Sequence, residues 1–436
     1  MYWKTFYHFR YSLRSSLWTV PIVAIPFAMF TTRLAHWLDD HLQWTFLGFG
    51  PKGAEALLQA TATATLSFLV FTFGSLLVAL QVASGQLTPR IIATTLLRNN
   101  VVRYTVGLFI FTFLFTLGVQ NRLEMKVSQL PLFVAALLAL LCFAAFLYLI
   151  DYAARLLRPI SILTRVGNDG LDVIESVYPD LYLGPGVPPN QRHKLGRPDR
   201  VISHRGNSGI ILAANIEVLT GAAEAAKGVI ELVPQVGDFV AVDEPLFNLY
   251  QGASGVDEEV LRKAIALGSE RTMEQDPTFA FRIVIDIALK ALSPAINDPT
   301  TAVLAIDQLH RMLRSVGRRN LRTDEILNAA GQLRVIFRTP NWDDFVHLAF
   351  SEIRAYGANN LQIVRRLRAM IENLKDTLPN QRQDELQHEL SLLDREAKRQ
   401  FRYPEELALA SIGDSQGLGG HSSRPMQENQ NTSSIS

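Results

Sequence analysis

The densest run of side chains that could do chemistry lies in residues 270–298. It opens with Glu270-Arg-Thr-Met-Glu-Gln-Asp-Pro and closes with Ser293-Pro-Ala-Ile-Asn-Asp-Pro-Thr-Thr-Ala. Glu270, Arg271, Glu274 and Asp276 therefore precede an apolar segment that Asn297 and Asp298 follow. Carboxylates and amides in this pattern would suit an ion or small polar ligand held at helix starts. Architecture explains the same residues: in Asp276-Pro277 and Asp298-Pro299 the Asx side chain caps a helix, and proline fills the first turn, where its missing N–H costs nothing. Between the caps Arg282, Asp286 and Lys290 recur at i, i+4 and i+8, a ladder of alternating charge on one helical face. Ligand site and helix caps both remain open, and the metal, if one is bound, is unspecified.

A second group is rich in hydroxyls. Thr61, Thr65, Thr72 and Ser75 recur at +4, +7 and +3, and Thr63, Ser67, Gly74 and Gln81 fill an adjoining stripe. Such residues let helices approach closely and bond across an interface, or they line a weakly polar path for a solute. No Asp, Glu, Lys or Arg interrupts the surrounding uncharged run, which argues against a proton-relay pump.

Enzyme signatures are poor. Neither a phosphate-binding G-x-x-x-x-G-K-[ST] loop nor an H-E-x-x-H zinc motif occurs. His310 and His347 sit in amphipathic helices, and His193 and His204 in a linker. Cys142, the single cysteine, excludes an intramolecular disulfide framework and a cysteine-based zinc site. No cofactor is expected.

The elements that carry these residues divide the chain in two. Of 436 residues 48% are hydrophobic and only 19% charged, which rules out a wholly soluble or a disordered chain. With 42 basic and 41 acidic residues the net charge is +1, so no global field points to nucleic acid. Four stretches lack charge altogether, 15–32, 56–89, 104–121 and 127–150. Each reaches the roughly 18–20 residues a membrane-crossing helix needs. We place the spans at about 15–32, 60–83, 104–121 and 130–150. The second run, about 51 Å if wholly helical, exceeds the bilayer and should tilt or project. Lys4, Arg10, Arg14, Arg90, Arg98, Arg103, Arg155, Arg158 and Arg165 flank one side, against Arg33, Lys52, Arg122 and Lys126 on the other. This asymmetry predicts cytoplasmic N- and C-termini.

The expected fold is thus a four-helix membrane domain over residues 1–156, then a cytoplasmic α+β domain. A juxtamembrane helix and linker should occupy 157–206, a small β-rich subdomain 207–250 and a helical region 251–410, including an amphipathic helix over 324–336. The Gly- and Ser-rich tail, 411–436, reads as disordered. The run Val236-Gly-Asp-Phe-Val-Ala-Val-Asp-Glu-Pro-Leu-Phe is similar to the turn of barrel-sandwich hybrids that carry biotin or lipoate, but no lysine-bearing hairpin accompanies it.

Taken together, Val78-Ala-Leu-Gln-Val-Ala-Ser-Gly-Gln-Leu-Thr-Pro-Arg, Val236-Gly-Asp-Phe-Val, Arg271-Thr-Met-Glu-Gln-Asp-Pro and Ala291-Leu-Ser-Pro-Ala-Ile-Asn-Asp-Pro-Thr-Thr-Ala resemble the bacterial predicted membrane proteins grouped as domain of unknown function 2254. The resemblance spans roughly residues 10–375. It implies an integral inner-membrane protein with four helices and a cytoplasmic domain, and it supplies no activity. Two functional classes follow from the residues: a homo-oligomeric channel or transporter gated by its cytoplasmic domain, or a membrane-anchored sensor or scaffold that binds a ligand or partner protein. The lipid bilayer and a second copy of the chain are the expected partners.

Overall fold

A computed structural model describes residues 18–42, 48–86, 100–123, 127–156, 158–182, 184, 195–321 and 324–420. Among the described residues four long helices come first: α1 (Thr19–Leu42), α2 (Pro51–Gln86), α3 (Asn100–Gln120) and α4 (Gln129–Leu156). Among the described residues three helical segments are long and apolar enough to cross a membrane, Pro51–Val78, Asn100–Gln120 and Gln129–Ala153. The expected span 15–32 differs. Its first three residues lie outside the described ones, and α1 carries Pro21, Pro26, Arg33, His36, Asp39 and Asp40, which lower its apolar character. Four membrane-crossing helices are therefore not established.

All four helices nevertheless share one core, in which Ala35 of α1, Ala54 and Leu58 of α2, Phe115 and Val119 of α3, and Leu132 and Ala135 of α4 are buried together. Helix α3 touches each of the others. It meets α1 through glycines three turns apart: a Cβ on Gly107 would stand 2.6 Å from Val20 Cγ1, and one on Gly118 2.8 Å from Thr32 Cγ2. At one end of the bundle the Asp39 carboxylate accepts from Leu130 N (2.8 Å) in the first turn of α4. There the Gln129 amide also bonds both backbone groups of Phe49, at 3.1 and 3.0 Å.

Past Arg158 the chain builds a helical layer and a β layer. Pro159 breaks the path and sits in the first turn of α5 (Pro159–Val177). The strands are β1 (Arg200–Ser203), β2 (Gly209–Ala214), β3 (Gly228–Leu232), β4 (Phe239–Val240), β5 (Pro245–Gln251), β6 (Ile265–Gly268), β7 (Glu325–Leu327) and β8 (Leu333–Phe337). They form a five-stranded sheet in the order β1-β5-β3-β8-β7 and a three-stranded sheet in the order β4-β2-β6. Helices α6 (Ile216–Ala225) and α7 (Glu258–Lys263) join the β layer. Neither sheet closes, so the expected barrel-sandwich is not found among the described residues. The helix expected over 324–336 is also absent: that segment is the antiparallel pair β7–β8. Leu333–Phe337, a mostly buried strand that follows the turn at Gly331 (φ +72°), finds a parallel partner in β3, with Ile230 opposite Val335. A distant strand overrides the local helical pattern.

The helical layer contains α5 with α8 (Pro277–Ala291), α9 (Pro299–Gly317), α10 (Trp342–Gly357), α11 (Leu361–Thr377), α12 (Gln383–Gln400) and α13 (Pro404–Ala410) around one apolar core. Helix α8 is its centre, with Phe279, Phe281, Ile283, Val284 and Ile287 all buried. The tail departs from expectation as far as Gly420. The fully buried Arg365 of α11 donates to the carbonyls of Ile412 (3.1 Å), Gly419 (3.0 Å) and Gly420 (2.8 Å). Asp414 meanwhile accepts three backbone N–H groups, from Gln416, Gly417 and Gly419. Residues 421–436 lie outside the described ones.

The α1–α3 contact generates a test. Gly118→Val should lower the melting temperature of the purified protein in detergent, at a cost of about 1–3 kcal/mol for overpacking. Gly74→Ala should not lower it, because a Cβ there meets nothing within 4 Å.

Candidate functional site

The helical and β layers meet along a cleft of about 510 Å³. Its walls include Tyr178 beyond α5, Ala214 and Asn215 at the end of β2, Gln235 and Val236 before the Gly237-Asp238 turn, and Gln275 and Asp276 ahead of α8. Two motifs noted separately in the sequence, around Val236-Gly-Asp and Arg271-Thr-Met-Glu-Gln-Asp-Pro, are brought together here.

Each motif is shaped for the encounter. Asp276 caps α8, its Oδ1 accepting from Phe279 N (3.1 Å) and from the Thr278 hydroxyl. Arg271 reaches across to the Gly237 carbonyl with Nε (2.8 Å) and Nη2 (2.5 Å). Only glycine suits position 237: φ is +94°, and a Cβ would stand 2.5 Å from Asp276 Oδ2. The Gly237 N–H bonds Ile211 O (2.8 Å), so the turn is also tied to β2. Gln275 adds another link, its Oε1 accepting from Ala214 N at 3.1 Å.

Asp276 is the unusual group in this arrangement. It is 4% exposed, and its Oδ2 has no hydrogen-bond partner among the described residues. Burial pushes its pKa above the ordinary value, opposed by the Thr278 hydroxyl, the Arg271 charge and the backbone N–H bonds. A carboxylate so placed can take up a proton or receive a donor from a ligand, provided that the Gly237 turn or the cleft wall moves to admit it. Glu217 and Arg338 bring opposite charges to the exposed rim.

The other candidate residues stand elsewhere. Glu270 is exposed and Glu274 half-buried, and neither lines the cleft. Asn297 and Asp298 follow the far end of α8, about 22 Å from Asp276 at 1.5 Å per residue. Asp298 caps α9 through Thr301 N (3.1 Å), and Asn297 adopts φ +48° in the tight connection, a conformation asparagine tolerates. Asp286 accepts from Arg282 Nε (2.7 Å), and the same guanidinium clamps Glu352 of α10, fixing α8 to its neighbour. Among the described residues no group of three or more His, Cys, Asp or Glu side chains could hold a metal ion.

In α2, Thr61, Thr65 and Thr72 are buried within the single chain, Ser75 is half-buried and Gln81 exposed. The hydroxyls of Thr61, Thr65 and Thr72 bond the carbonyls one turn back, Leu57, Thr61 and Phe68, at 2.7–2.8 Å, and Ser75 bonds Thr72 O at 3.0 Å. Sequence reasoning missed Asn215, Glu217, Gln275 and Arg338. Asp276 and the Gly237-Asp238 turn were marked in advance, the first as a helix cap or ligand residue and the second only as a turn.

Helices fit to cross a membrane, joined to a helix-rich domain with mixed sheets, define a membrane protein with a large non-membrane domain. The chain belongs to the family described as predicted membrane protein (DUF2254), whose model matches residues 14–373. Uncharacterized proteins of Mycobacterium bovis and of Mycobacterium tuberculosis H37Rv are each 26% identical over 374 residues, covering 80% of this chain and 69% of theirs. No solved structure matches.

The buried carboxyl sets a pH test. Because the folded pKa of Asp276 is raised, the fold holds this proton more tightly than the unfolded chain. The resulting stability is complete below the ordinary value of 3.8 and is lost as pH rises through the folded value. Asp276→Asn keeps a capping oxygen and removes the titration. Its melting temperature should therefore rise relative to wild type from about pH 4 toward neutrality; a difference constant with pH contradicts the assignment.

Proposed function

We propose that the protein is a membrane-anchored sensor whose α+β domain captures a small polar ligand in the cleft between its layers, with α1–α4 serving as a four-helix anchor. The observation that carries this reading is the buried Asp276 carboxylate, with an unpartnered oxygen beside a cleft of about 510 Å³. That volume lies within the roughly 300–1,000 Å³ of small-molecule sites. The joint of Arg271, Gly237 and Asp276 gives occupancy a mechanical consequence, since any group that competes for it alters how the β layer sits on α8. Helix α5 follows α4 directly, so a shift in the helical layer reaches the bundle through Pro159. The channel reading loses its motive: Thr61, Thr65 and Thr72 face the interior of one chain and spend their hydroxyls on their own backbone.

Lysine and arginine asymmetry supports cytoplasmic termini in a bacterial inner membrane. A fluorescent protein fused after Gly420 should glow, and alkaline phosphatase fused there should stay inactive; the opposite pair of results inverts the topology. For the ligand, purified protein in nanodiscs is screened by thermal shift against small polar molecules. Compounds that raise the melting temperature of wild type should lose most of that effect in Glu217→Ala/Arg338→Ala, whose targets are exposed on the cleft rim. Protein that responds to no compound, yet passes solute when reconstituted in liposomes, refutes the sensor reading.

A further inference from the structure

A second concavity, separate from the cleft, carries charge that nothing described so far uses. Arg311, Arg314 and Arg318 of α9 and its end stand at i, i+3 and i+7, on one helical face. With Arg319, Leu171 and Leu181 they line a groove of about 340 Å³. It lies away from the membrane helices. Helix α9 runs alongside α5, Gly167 abutting Gln308 and Gly170 abutting Met312, and the groove sits toward the α5 end that is remote from α4.

The charges there are not balanced. Arg319 is spoken for, pairing with Glu175 (2.8 Å) and donating to Tyr178 O (2.8 Å). Among the described residues Arg311 is held by neutral oxygens, Gln308 Oε1 at 2.6 Å and Asn168 Oδ1 at 3.0 Å, which aim the guanidinium without neutralising it. Arg314 and Arg318 make no ion pair among the described residues, and Asp172, on the α5 face shared by Asn168 and Glu175, makes none either. The negative end of α9 favours cations in its last turn, but Arg311 stands before that turn. Next to the groove Arg382 stacks on Tyr182 and Trp342, 5.3 Å from each ring, and its buried Nε has no partner among the described residues.

We propose that this groove binds a diphosphate anion, either free pyrophosphate or the diphosphate of a nucleotide. Guanidinium forks match phosphate oxygens in pairs. Arg311 to Arg318 spans about 10 Å of helix, more than one phosphate bridges and well suited to two in a row. Leu171 and Leu181 supply an apolar wall on which a nucleotide's remaining groups could lie.

The test is calorimetric titration of the full chain, in phosphatidylcholine nanodiscs at constant ionic strength, with sodium pyrophosphate and with ADP. Pyrophosphate should bind saturably, and Arg314→Gln/Arg318→Gln should weaken it about tenfold or more. Arg205→Gln/Arg399→Gln removes the same charge from side chains that are each 77% exposed elsewhere, and should leave binding unchanged. Arg311→Gln, expected to weaken binding severalfold, serves if the double variant fails to fold. ADP binding tighter than pyrophosphate points to a nucleotide as the source, and equal or weaker binding points to the free anion. Absence of saturable pyrophosphate and ADP binding, or equal loss in the groove and control variants, overturns the proposal.

Discussion

The non-membrane domain depends on one joint, in which the Arg271 guanidinium grips the Gly237 carbonyl directly above the buried carboxyl of Asp276. Hydrogen bonds from a charged donor contribute roughly 1.5–3 kcal/mol each, and these link the β layer to the helical layer. On one side Asp276 starts α8, whose phenylalanines and isoleucines form the centre of the helical core. On the other the Gly237 turn is fastened to β2 through Ile211. The cleft opens beside this joint and the Gln275–Ala214 bond, which both tie the β layer to the start of α8. Buried beside it, Asp276 makes the contact responsive, since a proton on its Oδ2 removes the charge that Arg271 faces and a ligand donor there would compete with Arg271 for it.

A different constraint governs the four leading helices. In hydrocarbon every polar group must find a partner within the protein, and the buried threonines of α2 do so within their own helix. Thr116 of α3 repeats the device, bonding Thr112 O at 3.0 Å, and Thr32 of α1 bonds Ala28 O at 2.7 Å. Closeness between α1 and α3 comes from Gly107 and Gly118, which let the backbones approach where no side chain intervenes. Hydroxyl and small residues at helical spacing thus serve compact packing within one chain, and a bundle built this way suits an anchor.

Local features were legible in the sequence and long-range ones were not. Asp276-Pro277 and Asp298-Pro299 announced the starts of α8 and α9 because capping involves only neighbours in sequence. The apolar runs announced α2, α3 and α4 for the same reason. The β7–β8 pair was missed because Leu333–Phe337 owes its extended form to β3, a hundred residues earlier, a partner that no periodicity encodes. The meeting of Gly237 with Arg271 and Asp276 is likewise a product of the fold. Each motif stood out by composition, yet nothing in the spacing paired them, and the expected grouping of Asp276 with Asn297 and Asp298 instead spans the length of α8. The tail read as disordered from its Gly and Ser content; the buried guanidinium of Arg365 compensates by satisfying three of its carbonyls.

The central claim is that ligand recognition belongs to the cleft while the membrane helices stay closed. It is tested most directly by an electron cryomicroscopy map of the protein in nanodiscs, resolved well enough to place ordered water. The account predicts that Thr61, Thr65 and Thr72 are dry and bonded to their own helix, with ligand density or ordered water confined to the cleft beside Asp276. A continuous file of water running along those threonines through the bundle would contradict it.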